Sequence, residues 1–132
     1  MICIEPYDHI DGTRFGESSS AVLARLGEPA RRRTNRDGED ELWYSDAIWR
    51  FHNDRLVECT LTMREPIRVA DHEVSSFLSW LPSADADAVS AHGFLVSNAF
   101  GIAVDLDNEH SEFVSIFERG RWDNILHRTH DA

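Results

Sequence analysis

Ala47-Ile48-Trp49-Arg50-Phe51-His52-Asn53-Asp54-Arg55-Leu56-Val57-Glu58-Cys59-Thr60-Leu61-Thr62-Met63 holds the pattern on which the fold turns. Val57, Cys59, Leu61 and Met63 alternate with Glu58, Thr60 and Thr62, the period of a strand that buries one face. Ala47 to Phe51 is a second apolar run, and Asn53-Asp54 between the two suits a tight hairpin turn. Just upstream, Glu41 to Trp43 has apolar character and Ser45-Asp46 supplies a turn. Together these runs read as an antiparallel meander, ended by Glu65-Pro66.

Helical signals flank the meander. Ser18, Ser19 or Ser20 can cap a helix whose stripe is Val22, Leu23 and Leu26, stopped by Gly27 and Pro29. The charged stretch from Ala30 to Asp40, with Asp37-Gly38, reads as an exposed loop or hairpin tip. After the meander, Asp71 is a candidate N-cap, and Val74, Phe77, Leu78 and Leu81 fall on one helical face before Pro82. Ser83 can cap a third short helix closed by Gly93, with Asp85 and Asp87 in its first turn as dipole partners.

A second strand region follows. Phe94 to Val96 leads to Ile102, Val104 and Leu106 in alternation with Ala103, Asp105 and Asp107. The chain then turns into Phe113 to Phe117, and Arg119-Gly120-Arg121 turns it again. The order helix, meander, helices, meander places the chain in the α+β class: antiparallel β-meanders with two or three short helices packed on one side, open to reading as two αβ repeats. Residues 1–132 are the size of one domain, with 127–132 expected to fray. The expected core is Val22, Leu26, Val57, Cys59, Leu61, Phe77, Leu78, Leu81, Ile102 and Val104.

Charge narrows the function. There are 24 acidic residues against 13 basic ones, for a net charge of -11, and every basic residue is Arg. A field of that sign repels nucleic acid and anionic membranes and attracts basic partners. Nine acidic residues and no Lys or Arg lie between Val69 and Glu118, whereas Arg31, Arg32, Arg33 and Arg36 crowd one short segment. Cys3 and Cys59 do not make a disulfide framework, and the N-terminus lacks the basic region and apolar stretch of a signal peptide, so a reducing cytoplasm is the expected location.

The candidate chemical motifs are incomplete. His72-Glu73 lacks the second histidine one turn on that a zinc-protease helix needs. Asp105-x-Asp107-x-Glu109 begins like a calcium loop, but His110 replaces the bend glycine and Ile116 stands where the closing Glu belongs. His9, His52, His92, His110, His127 and His130 are scattered, and no nucleophile elbow or phosphate cradle is present. The expectation is therefore no enzyme, no metal and no cofactor. Trp43 and Tyr44 are adjacent on a strand, so one of them must face away from the core, where an aromatic side chain suits a binding hot spot.

Phe15-Gly16-Glu17-Ser18-Ser19, the run Val22 to Pro29, Leu42-Trp43-Tyr44, Trp49-Arg50-Phe51 and Leu56-Val57-Glu58 share a layout with a known group. A short helix ending in Leu-Gly-x-Pro, a Tyr-bearing strand and a strand ending in Phe before a hairpin resemble small bacterial proteins of the β-lactamase-inhibitor-protein-like and outer-membrane-assembly-lipoprotein-like group, and small toxin-immunity proteins. The resemblance covers about the first 60 residues. No apolar segment precedes Cys3, which departs from the lipoprotein branch. What the resemblance implies is a mode of action, stoichiometric occlusion of a cognate toxin, with no catalytic residues to carry over.

The expected function is thus an intracellular immunity protein that binds a basic toxin domain, with a secretion chaperone or adaptor subunit, and then a hydrolase using Asp71 and His72, as alternatives. Asp105 and Asp107 alternate with Ile102, Val104 and Leu106, and so project from the buried side of their strand. With Glu109 and Glu112 they are the expected partner-binding face, and Arg31 to Arg36 is the competing one.

Overall fold

The computed structural model describes residues 1–107 and 112–123. The long hairpin forms as the alternation requires. β6 (Ala47–His52) pairs with β7 (Arg55–Thr62) across Asn53 and Asp54, whose φ values of 51° and 57° give the doubly left-handed turn that matches strand twist. A bulge after Arg50 shifts the register, so Phe51 faces Leu56 while Arg50 faces Glu58. Leu56, Val57, Glu58 and Cys59 are all buried in succession, which a strand with one solvated face would not allow.

β7 is central in an eight-stranded sheet. Before it come β4 (Arg31–Thr34) and β5 (Asp40–Trp43); after it in sequence come β10 (Val89–Ala91), β11 (Phe94–Ser97), β12 (Ile102–Asp105) and β13 (Phe113–Phe117). The strand order is β10-β11-β12-β13-β7-β6-β5-β4, so the two expected meanders are one sheet joined where β7 meets β13. The halves match in register as well as order. Ile48 faces Thr60 and Trp49 faces Cys59, just as Ala103 faces Ser115 and Val104 faces Val114.

Each meander is preceded by a serine-capped helix. The Ser18 hydroxyl accepts the Ala21 N–H at 3.2 Å to start α1 (Ser19–Leu26), and the Ser76 hydroxyl accepts the Ser79 N–H at 3.3 Å to start α2 (Phe77–Ala84). Asp54 at the hairpin tip accepts the Ser19 N–H and hydroxyl at 3.0 and 2.6 Å, fixing α1 against the sheet.

Strands outside the expectation form a second sheet: β1 (Cys3–Glu5), β2 (His9–Ile10), β3 (Thr13–Arg14), β8 (Ile67–Val69) and β9 (His72–Val74), in the order β3-β2-β1-β8-β9. β1 and β8 are parallel, the exception to antiparallel pairing among the described strands. The main core lies between the two sheets and the helices. Leu42, Trp49, Phe51, Cys59, Leu61, Ile102, Val104, Val114 and Ile116 meet Val22, Phe77 and Leu81 from the helices and Ile4, Ile10, Ile67, Val69 and Val74 from the small sheet. Each such side chain contributes about 1.5–3 kcal/mol by leaving water. A smaller core of Ala91, Val96, Ala103, Phe117 and Trp122 lies on the opposite face of the long sheet, with Tyr7 and Phe94 against it. Tyr7 lies so close over Gly101 that a Cβ there would approach its ring to 2.9 Å.

Several sequence expectations are corrected. Leu26, expected in the core, is 43% exposed, because α1 turns only Val22 fully inward and ends at Gly27. Asp71 is not a helix cap. It lies in the turn between β8 and β9, with Ala70 at φ 53°, so Val74 belongs to a strand and the helical face begins at Phe77. Pro82 does not stop α2; so near the C-terminal end the lost N–H removes one bond, and the helix continues to Ala84. The third helix is absent among the described residues: Ser83 lies inside α2, and Asp85, its C-cap, makes a turn by accepting the Asp87 N–H at 3.0 Å. Arg31 to Thr34, read as loop, is an edge strand, and the tip is confined to Asn35–Gly38. Leu78 packs against the core half-buried. The expected fraying at 127–132 lies outside the described residues.

Ile116 and Leu26 separate the observed core from the expected one. Urea unfolding of Ile116→Ala is expected to show a loss of about 2–5 kcal/mol, and Leu26→Ala a change within about 0.5 kcal/mol.

Candidate functional site on the outer face of the long sheet

The face of the long sheet turned away from the main core carries charge in the middle of apolar strands. Glu41 and Trp43 project there from β5, Arg50 and Ile48 from β6, and Glu58 and Thr60 from β7, because each alternates with a core residue. Arg33, Glu41, Arg50 and Glu58 stand directly opposite one another on four successive strands, with signs alternating. The Arg50 Nε donates to Glu41 at 2.9 Å, and its Nη1 donates to Glu58 at 2.9 Å and to the Thr60 hydroxyl at 2.6 Å. Arg33 meets Glu41 at 3.3 Å.

Residues shortly after β13 complete the network. Arg121 forks onto Glu39 at 2.6 and 3.0 Å and reaches Glu58 through Nε at 3.1 Å, while the Trp122 indole N–H donates to the same Glu58 oxygen at 3.0 Å. Trp122 then fills the smaller core. Among the described residues, no buried side-chain nitrogen or oxygen lacks a partner.

The electrostatics fix the charge states. The hydrogen bond from Arg121 holds the Glu39 carboxyl below its ordinary range against the opposing effect of burial. At Glu41 burial pushes upward, but Trp43 and Arg50 prevail and the pKa is lowered. Burial likewise works against the Arg121 guanidinium, and Glu39 and Glu58 overcome it and raise its pKa. A general acid or base must exchange a proton near the working pH, and these groups are held firmly ionised. Three carboxylates meet three guanidinium groups, so the network ties register and strand order together.

The adjacent-aromatic question is answered on this face. Tyr44 packs against the main core and donates its hydroxyl to the Gly27 carbonyl at 2.8 Å. Trp43 therefore faces outward, half-buried, with Arg31 and Arg33 5.6 and 5.8 Å from its ring. Ile48, Thr60, Thr62 and Phe113 on the same face are also half-buried.

The expected acidic residues divide. Asp105 and Asp107 are together at the end of β12, where Asp105 accepts the Asp107 N–H at 2.8 Å; Asp105 is half-buried and Asp107 exposed. Neither meets a guanidinium among the described residues. Glu112 is engaged elsewhere: it accepts the Phe77 N–H at 2.6 Å and the Ser76 hydroxyl, which caps α2. Glu109 lies outside the described residues. Asp71 and His72 are 3.6 Å apart on an open hairpin turn, with the Asp71 side chain 94% exposed. Among the described residues, no group of three or more His, Cys, Asp or Glu is placed to hold a metal ion. Cys3 and Cys59 are free thiols, and burial pushes the Cys59 pKa well up.

No protein-family model, curated protein or solved structure matches this chain. No described helix is long and apolar enough to cross a membrane. Sequence reading missed Glu39, Arg50, Glu58 and Arg121 as a group. The available signal was a charge set between apolar residues in two consecutive strands, Arg50 between Trp49 and Phe51 and Glu58 between Val57 and Cys59.

Arg50→Met removes the donors shared by Glu41 and Glu58 and is expected to cost about 3 kcal/mol at neutral pH, by denaturant unfolding. The pH dependence has a definite sign. Glu39 and Glu41 have folded-state pKa values below the ordinary 4.5, so their stabilisation is complete above that pH and is lost as pH falls through the folded-state values. The wild-type Tm should fall on that acid limb, and the deficit of Arg50→Met should narrow there, because protonation discharges Glu41, which has lost its closest guanidinium.

Proposed function

We propose that this protein binds and occludes a basic protein partner, as an immunity protein does with its cognate toxin domain. The observation that carries this reading is the internal disposal of positive charge. Eight of the twelve described arginines meet a carboxylate within 4.0 Å, and two more, Arg31 and Arg119, lie over aromatic rings. The net charge of -11 is therefore expressed by carboxylates that the fold leaves unmatched. Asp105 and Asp107 are such a pair, at the tip of a strand with no nearby cation among the described residues. Their mutual repulsion in the free protein would be relieved by a basic surface, and complementary fields would raise the encounter rate.

The layout shared with toxin-immunity proteins, noted from the sequence, supports the same mode of action. An adaptor or chaperone role has one specific observation in its favour. A cleft of about 340 Å³ between α1, the small sheet and the β5–β6 turn is lined by Ile2, Ile10, Leu26, Tyr44, Ala47 and Trp49. Its apolar lining would suit a client side chain.

The test is co-expression with the protein encoded beside it, followed by association kinetics at low and high salt. Protection of the cells and a stable complex are expected. Asp105→Asn with Asp107→Asn should slow association about tenfold at low salt and much less at high salt. Absence of both complex and protection would remove the immunity reading. A complex whose rate ignores both substitutions and salt would move the interface away from β12.

A further inference from the structure

Among the described residues β4 is an edge of the long sheet, and all four of its residues, Arg31, Arg32, Arg33 and Thr34, are exposed. An edge strand presents unpaired N–H and C=O groups to any extended segment that arrives. A groove of about 340 Å³ runs beside this edge, lined by Leu23 of α1, Arg32, Arg33 and Thr34 of β4, and Asp40, Glu41 and Leu42 of β5; within it Thr34 donates to Asp40 and Arg33 pairs with Glu41. A backbone edge with a helix bordering the groove beside it is the geometry by which some domains add a peptide as an extra strand, with main-chain bonds giving affinity and alternate side chains giving specificity.

We propose that this edge and groove take up an extended acidic segment of a partner protein as an added strand next to β4. The residues fix the chemistry of the occupant. Residues directly opposite Arg31 and Arg33 on an added strand would lie on the outer face, beside the half-buried Trp43 whose ring both guanidinium groups approach. The residue opposite Arg32 would lie on the groove side, where Arg32 now reaches Glu28 at 2.8 Å, an exposed pair that a better placed carboxylate can exchange. Opposite charges directly across strands stabilise pairing and like charges oppose it. Arg31, which meets no carboxylate among the described residues, and Arg32, whose pair with Glu28 is exposed, thus select acidic residues opposite them, while Arg33 stays with Glu41. The three arginines also disfavour a second copy of this chain, since β4 against β4 would bring arginines together. This surface is separate from the Asp105 and Asp107 tip, so it stands or falls independently of the immunity reading.

The test uses three end-blocked peptides, one of alternating Val and Glu with a central Glu-Glu-Glu, the same peptide with Lys for Glu, and the Glu peptide with prolines at alternate positions. They are titrated calorimetrically, with amide hydrogen exchange to locate the site. The Glu peptide is expected to bind and slow exchange in 31–34, and the Lys and Pro peptides are expected to fail. Arg31→Ser with Arg32→Ser, which leaves the Arg33, Arg50 and Arg121 network intact, should weaken binding at least about fivefold without shifting the Tm. The proposal is overturned by any of four results: the Glu peptide does not bind, the Pro peptide binds equally well, protection falls outside β4, or a single-stranded oligonucleotide protects β4 where the Glu peptide does not.

Discussion

The pairing of β7 with β13 is the constraint on which the rest of the molecule depends. Cys59 against Ile116 and Leu61 against Val114 join two four-stranded meanders into one sheet, and they do so from positions far apart in the chain. A strand so central is covered on both faces. Its inner face meets the main core, and its outer face must place Glu58 where water is scarce. A buried carboxylate is tolerated only with partners of opposite charge and good geometry. Arg50 from the neighbouring strand and Arg121 and Trp122 from the segment after β13 supply them.

That requirement explains the use of arginine. Arg50 bridges two carboxylates and a hydroxyl at once, and Arg121 grips one glutamate with a fork while touching another. A planar guanidinium with five donors can do this, whereas an ammonium is a point charge on a flexible stem. The chain contains no lysine, and at these positions the geometry gives a reason. Basic residues hold the sheet together, while the acidic surplus faces solvent.

What the sequence revealed follows from the range of the interactions concerned. The β6–β7 hairpin, the Ser18 cap and the Gly27 stop are set by neighbours within a few residues, and their patterns stood in the sequence. The stretch from Ile67 to Ala88 misled because Val74, Phe77, Leu78 and Leu81 fit a helical period across what is a hairpin followed by a helix; the left-handed Ala70 that turns β8 into β9 carries no compositional mark, and the helix is capped only at Ser76. Glu112 was read with Asp105 and Asp107 because it is near them in sequence, yet its carboxylate belongs to α2. The ladder from Arg33 to Glu58 was hidden for the opposite reason: in single strands a lone charge looks like the solvent phase, and only cross-strand pairing shows the four as one row. The small sheet depends on β1 lying beside β8, a pairing with no local signal.

The central position of β7 has a consequence for how the chain is made. Residues through Thr62 leave the ribosome before β13 exists, and at that stage β7 is an unprotected edge with Val57, Cys59 and Leu61 along it. Such an edge invites pairing with other nascent chains. Glu58, set among those apolar residues and already paired on one side with Arg50, leaves its second oxygen without Arg121 or Trp122 until the segment after β13 arrives. Until then its charge lies half-matched on the outer face of that edge, which opposes docking by a foreign strand; afterwards the same oxygen receives Arg121 and Trp122.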